Sequence, residues 1–181
     1  MKWKVRLPSV ASELAFADAD NDGFVDIYVS NGGLSHQGVN YLYQNVEGGQ
    51  LRRVLNTDSV NSAHASGGAS WSDYDGDGDQ DLVVANRPTA EMDGYKLSLF
   101  RNDGDLQFTR MDDDALPADA TFPMSVAWGD VDNDGDQDLY VGSLYGMANS
   151  LYENLGDGTF KIMDGGRATS DGSSSYAVAF G

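Results

Sequence analysis

The chain has 181 residues, with 29 acidic against 11 basic side chains, a formal charge of −18 and a pI near 4.1. Such acidity excludes a nucleic-acid binder, which needs a basic surface. The absence of cysteine excludes disulfides, thiolate metal sites and a cysteine nucleophile.

Read from the N-terminus, Trp3-Lys-Val-Arg-Leu7 is a short run of strand type. Phe16 follows, two residues ahead of Asp18-Ala-Asp20-Asn-Asp22-Gly23-Phe24-Val-Asp26. The run Asp26-Ile-Tyr-Val-Ser comes next, then Asn40-Tyr-Leu-Tyr-Gln-Asn45, a turn at Glu47-Gly48-Gly49 and a last run from Leu51. The same order then returns. Trp71 precedes Asp73-Tyr-Asp75-Gly-Asp77-Gly78-Asp79-Gln-Asp81, which leads into Leu-Val-Val-Ala. After that stand Leu97-Ser-Leu-Phe-Arg-Asn102, the turn Asp103-Gly104-Asp105 and a run from Phe108. Trp128 precedes Asp130-Val-Asp132-Asn-Asp134-Gly135-Asp136-Gln-Asp138 and the run Leu-Tyr-Val-Gly. Asn149-Ser-Leu-Tyr-Glu-Asn154, the turn Gly156-Asp157-Gly158 and a run from Phe160 complete this third copy. Phe180 starts the pattern again, the four aromatics being spaced by 55, 57 and 52 residues.

Each acidic loop reads D-x-D-x-D-G-x-x-D. Four carboxylates in nine residues repel one another unless a hard cation lies between them, and Ca²⁺ takes six to eight oxygens. Glycine at loop position 6 suits the sharp turn and the positive φ needed there. The loops therefore predict about three Ca²⁺, one per loop. They hold fourteen of the 29 acidic residues, and three Ca²⁺ would bring the formal charge from −18 to −12.

Four strand-type runs per unit, separated by Gly/Asn/Asp turns and without helical periodicity, predict an all-β fold of propeller blades, each of four antiparallel strands. The frame gives residues 1–15 as the last strand of a preceding blade and a linker. Residues 16–70, 71–127 and 128–179 are three complete blades, and 180–181 start another. Ala177-Val-Ala-Phe-Gly181 is similar to the first strand Ser125-Val-Ala-Trp-Gly129. Three blades plus single flanking strands do not close a ring of four to eight. The expectation is thus a segment of a longer propeller, the alternative being a split ring completed by another copy.

An EF-hand also begins D-x-D-x-D-G, but it requires Glu at position 12 and flanking helices. Position 12 here is Val29, Val84 and Val141, each in a β-type run. The plain alternative of a solvated Asp/Gly turn suits one copy and not three in register. Asp112-Asp113-Asp114 reads as a solvated loop, and His36 and His64 stand in Gly/Ser/Asn-rich loops. Trp71 and Trp128 recur with the repeat and read as packing aromatics. Gly67-Gly68 lacks the context of a phosphate loop. None of these forms a catalytic cluster, so the chain reads as a non-enzyme.

The pattern aromatic-[GSA]-D-x-D-x-D-G-x-x-D-[LI], with L-[YF]-x-N downstream, resembles the FG-GAP/VCBS repeats. Those are known from integrin α-subunit propellers, bacterial secreted propellers and cartilage acidic protein-like proteins. The resemblance implies that each loop joins the first two strands of its blade and binds one Ca²⁺. Matched residue by residue, the side-chain ligands would be Asp18, Asp20, Asp22 and Asp26; Asp73, Asp75, Asp77 and Asp81; Asp130, Asp132, Asp134 and Asp138. The backbone carbonyls of Phe24, Asp79 and Asp136 would add a further ligand to each loop. The first blade departs from the pattern in its turn Val46-Glu-Gly-Gly-Gln-Leu51.

Calcium loops suit a secreted or cell-surface module with an export signal outside the chain, since Met1-Lys-Trp-Lys-Val lacks the apolar core of a signal peptide. The expected role is a scaffold for extracellular binding or adhesion, with a protein or glycan ligand. The variable connections at residues 32–39, 86–95 and 143–148 would form the recognition surface. Two other classes stay open: part of a secreted polysaccharide lyase or hydrolase, and a glycan-binding lectin. No run is long enough to span a membrane as a helix.

Overall fold

The computed structural model describes residues 11–32, 38–61, 63–87, 96–111, 115–117, 121–170 and 172–180. The expected strand at residues 3–7, His36 and Asp112 to Asp114 lie outside the described residues, as does the side chain of His64. In chain order the strands are β1 (Ala11–Ala17), β2 (Asp26–Asn31), β3 (Gly38–Val39), β4 (Tyr41–Val46) and β5 (Gln50–Val54). Next come β6 (Ala63–Ser72), β7 (Asp81–Arg87), β8 (Lys96–Asn102) and β9 (Phe108–Arg110). The last four are β10 (Pro123–Gly129), β11 (Asp138–Ser143), β12 (Ser150–Asn154) and β13 (Phe160–Met163). Two single helical turns, α1 (Asp58–Asn61) and α2 (Arg167–Ser170), lie in connections.

These strands form three antiparallel four-stranded sheets, β1-β2-β4-β5, β6-β7-β8-β9 and β10-β11-β12-β13, the meander of a propeller blade. β3 adds a fifth member to the middle sheet by pairing Gly38 and Val39 with His64 and Ala63, which ties the first blade to the second through backbone. The middle strand of each blade shows why the runs are apolar on both faces. In β7, Leu82 and Val84 face a core shared with the first blade, among Tyr28, Leu42, Phe100 and Phe108. Val83 and Ala85 face the opposite core, among Trp128, Leu139, Val141 and Tyr152 of the third blade. Period-2 alternation between two buried faces turns a half-buried strand pattern into a continuous Leu-Val-Val-Ala.

The aromatics that mark the repeat sit near the ends of the first strands, not at their starts: Phe16 in β1, Trp71 in β6, Trp128 in β10. The upstream half of β6 is rich in Ala, Ser and Gly, residues with little strand signal, and those of β1 and β10 carry few β-branched or aromatic residues. They are strands because the inner strands crowd together. A Cβ on Gly67 would stand 2.9 Å from the Met124 carbonyl oxygen, and one on Gly68 would stand 2.9 Å from Ser125 Cα. The Gly67-Gly68 pair thus serves close approach of backbones.

Residues 172–180 join no strand ladder, in contrast to the expected strand at 177–181. They still lie across the third blade. Ser175 N–H donates to the Ser143 carbonyl at 2.7 Å and Val178 N–H to Ser125 Oγ at 3.2 Å. The Phe180 ring fills the space over Gly129, where a Cβ would be 2.6 Å from Cγ of the ring. Among the described residues no helix is long and apolar enough to cross a membrane.

Candidate metal centres

All three acidic loops connect the first and second strands of their blades: residues 18–26 join β1 to β2, 73–81 join β6 to β7, and 130–138 join β10 to β11. Each is shaped by its own carboxylates. At position 1, Asp18, Asp73 and Asp130 accept the N–H of Gly23, Gly78 and Gly135 at 2.9, 3.0 and 3.1 Å. At position 3, Asp20, Asp75 and Asp132 accept the N–H of position 5 at 3.2–3.3 Å. At position 5, Asp22, Asp77 and Asp134 accept the N–H of position 7 at 2.8–2.9 Å.

Two backbone positions per loop are left-handed. Position 6 is glycine with φ of 88°, 96° and 103°, and position 4 is Asn21, Gly76 or Asn133 with φ of 56°, 75° and 61°. Asparagine and glycine are the residues that tolerate this conformation, so both positions follow from backbone sterics.

The ninth residue has a structural role besides the one expected. Asp26, Asp81 and Asp138 are fully buried. One oxygen of each accepts the N–H of loop position 2, at 3.1, 3.1 and 2.9 Å. The other accepts the N–H of Asn45, Asn102 or Asn154 on the third strand, at 2.7, 2.8 and 2.9 Å. This carboxylate staples the loop to its sheet.

Those asparagines were present in the L-[YF]-x-N repeat, yet spacing alone assigned them no task. Asn102 Nδ2 donates to the Ala19 carbonyl in the preceding blade's loop at 2.7 Å and to the Gln80 carbonyl at 3.1 Å. Asn154 Nδ2 donates to the Tyr74 carbonyl at 2.7 Å and to the Gln137 carbonyl at 3.2 Å. Their Oδ1 atoms accept from Gly104 and Gly156 at 3.2 and 3.1 Å. Each therefore locks its own loop, its own turn and the neighbouring loop. Asn45 differs because the first blade's turn differs: its ladder runs on to Val46 opposite Gln50, and Asn45 Oδ1 is buried without a partner. Asn21 adds a second tie between loops, its Nδ2 standing 2.6 Å from Asp79 Oδ1.

The carboxylates converge as a cation site requires. Asp18, Asp20 and Asp22 bring ligand oxygens within 4.8 Å of one another, as do Asp73, Asp75 and Asp81, and Asp130, Asp132 and Asp138. The structure thus brings together positions 1 and 3 in every loop, joined by position 5 in the first and by position 9 in the others. Asp73 Oδ1 is buried with no hydrogen-bond partner. A buried carboxylate oxygen left unpaired is expensive unless a cation takes it. An all-oxygen donor set of this kind suits a hard divalent ion.

Burial pushes the Asp26 carboxyl up to about 6, against its amide hydrogen bonds and helped by Asp20 and Asp22. Burial likewise raises Asp81 to about 7, with Asp75 and Asp77 adding repulsion. Asp75 is raised by burial and then by Asp77. In the cation-free protein, the raised Asp26 and Asp81 stabilise the fold below their ordinary pKa and lose that contribution as pH rises through about 6 to 7. Cation-free protein should therefore melt at higher temperature at pH 5.5 than at pH 8. A divalent cation taken up by these carboxylates should raise the melting temperature more at pH 8, where it displaces no proton. Melting curves in chelator and in calcium at both pH values check this; a calcium shift that is no larger at pH 8 counts against it.

The aromatics expected to pack do so. Trp71 lies edge-on to Tyr28 at 6.1 Å, and Trp128 stacks on Tyr74 at 6.2 Å. Loop position 2 belongs to the same packing, since Ala19 and Tyr74 sit in the two inter-blade cores.

Blades that open on an acidic loop, with each loop fastened to the next, define a repeat protein of the β-propeller class. The FG-GAP-like repeat profile matches residues 18–84 and again 73–141, together more than half of the chain. The chain belongs to that family. No curated protein matches it.

Proposed function

We propose that the chain is a Ca²⁺-stabilised propeller scaffold that binds an extracellular protein or glycan and performs no catalysis itself. The observation that carries this is the threefold convergence of carboxylate oxygens in loops built by the same internal hydrogen bonds. The carboxylates of positions 1, 3, 5 and 9 and the carbonyls of Phe24, Asp79 and Asp136 would hold one Ca²⁺ in each loop. Bound there, Ca²⁺ neutralises mutual repulsion and fixes the first hairpin of its blade. An ion surrounded by so many carboxylates has little charge left to polarise a substrate, which favours a structural role.

The third of the variable connections supports a recognition role. In residues 143–148, Leu144 is buried while Tyr145 is 68 % exposed and rests edge-on against Phe122 at 4.6 Å. A rigid, exposed aromatic is a common anchor in binding surfaces. Weak calcium affinity, with Kd in the range of about 10⁻⁴–10⁻³ M, would suit a secreted or cell-surface setting.

Calorimetric titration of chelator-treated protein tests the reading. Expected are about three equivalents of Ca²⁺ and, for each site at a hundredfold excess over Kd, about 2.7 kcal/mol of stabilisation. That corresponds to a rise of roughly 5–10 °C per site for a chain of this size. Neither heat nor a shift in melting temperature would dispose of it.

A further inference from the structure

The three loops share a backbone design but not an electrostatic setting. The difference lies in one residue of the third strand, directly before the coupling asparagine: Gln44 on β4, Arg101 on β8 and Glu153 on β12. The following N–H caps the buried carboxylate at position 9 in each blade, which brings this residue to the side of the loop that carries the position-3 carboxylate. In the first blade the contact is direct, Gln44 Nε2 donating to Asp20 Oδ2. In the second, Arg101 holds the same position on β8 and pairs with Asp103. In the third, Glu153 holds it on β12 and pairs with Lys161. One structural position thus presents an amide, a cation and an anion to three loops of the same backbone design.

We propose that this residue grades the cation affinity of the loops, with Glu153 making the third loop the tightest site and Arg101 weakening the second. The inference rests on the calcium reading above. A given charge interacts with a divalent ion with twice the energy that it has with a proton at the same place. A unit charge some 8 Å away in a water-like dielectric changes its affinity by roughly three- to tenfold. Nearby partners reduce the effect without removing it. Arg101 is held by Asp103 at 2.7 Å with its side chain 41 % exposed, and Glu153 meets Lys161 at 2.7 Å with the lysine 55 % exposed. Pairs so open to water are heavily screened. The Glu153 side chain, only 17 % exposed, is the less hydrated member of its pair. Loop 3 also has Asp136 at position 7 where loop 1 has Phe24, while the corresponding Asp79 of loop 2 is engaged by Asn21. The extra carboxylate favours the third site over the first.

The test is a residue-resolved NMR titration with Ca²⁺ of chelator-treated protein, following the amides of Gly23, Gly78 and Gly135 as reporters of the three loops. Gly135 should saturate first. The near-isosteric Glu153→Gln should weaken the third site about two- to threefold and leave the other two unchanged. Arg101→Glu should tighten the second site, and the exchange Arg101→Glu with Glu153→Arg should reverse the order of Gly78 and Gly135. If all three amides respond and these substitutions leave the order intact, the grading is wrong and the calcium reading stands. If no amide responds at any calcium concentration, both fall together.

Discussion

Replacing Asp81 by alanine should destabilise the chain by about 2–5 kcal/mol even in the presence of chelator. The carboxylate is fully buried and accepts the Tyr74 and Asn102 amides at 3.1 and 2.8 Å. Alanine strands both donors, and each buried N–H without a partner costs about 1–3 kcal/mol. Asp77 is the contrasting residue. It is exposed and accepts one amide, that of Asp79 at 2.9 Å, so Asp77→Ala should cost under about 1 kcal/mol without a cation. Its larger loss should emerge only with calcium present. Urea unfolding of the two variants, in chelator and in calcium, separates the staple from the ligand. Equal losses in chelator would show that position 9 has no structural role beyond that of its neighbours.

The second large effect belongs to a residue that does not touch the proposed ion. Asn154→Ala should lower stability by about 2–4 kcal/mol, because three polar groups lose their partner together. These are the Tyr74 carbonyl in the preceding blade, the Gln137 carbonyl and the Gly156 amide. Asn45 provides the internal control. Its side chain makes one described bond, to the Val25 carbonyl at 3.2 Å, and its Oδ1 has no partner. Asn45→Ala should therefore cost markedly less, about 1 kcal/mol. Thermal unfolding of both variants decides the matter. Similar losses would mean that the tie between loops contributes nothing to stability.

Much of this molecule was legible before any coordinates. The second, third and fourth strands of each blade fall where the apolar runs and the L-[YF]-x-N motif place them. Strand β4 covers Tyr41–Val46, and β12 covers Ser150–Asn154. The second and third strands are buried or half-buried and so carry β-branched and aromatic side chains, while the fourth, such as β5, are mostly exposed and are marked by the turn before them. The inner strands were harder to bound. β6 runs through Ala-Ser-Gly-Gly-Ala-Ser, where the need is for small size between neighbours and not for apolar mass. A pattern of small residues resembles a loop until the neighbour is in view. The pairing of β3 with β6 had no signature in sequence, since Gly38 and Val39 are two residues in a connection.

The acidic loops themselves follow from local chemistry. Four carboxylates, a glycine that must take positive φ and a residue tolerant of the left-handed region at position 4 define the turn within nine residues, whatever surrounds it. Sequence therefore determined the fold class, the number of acidic loops and the residues that line them. Tertiary structure decided what those residues share their oxygens with. Asp26, Asp81 and Asp138 hold the third strand as well as the loop, and Asn102 and Asn154 reach into loops 83 and 80 residues away. It also decided which strand position stands beside each loop, that of Gln44, Arg101 and Glu153. Such contacts depend on which strand end arrives next to which loop. Spacing along the chain cannot encode that, because the partners meet only after the blades have stacked.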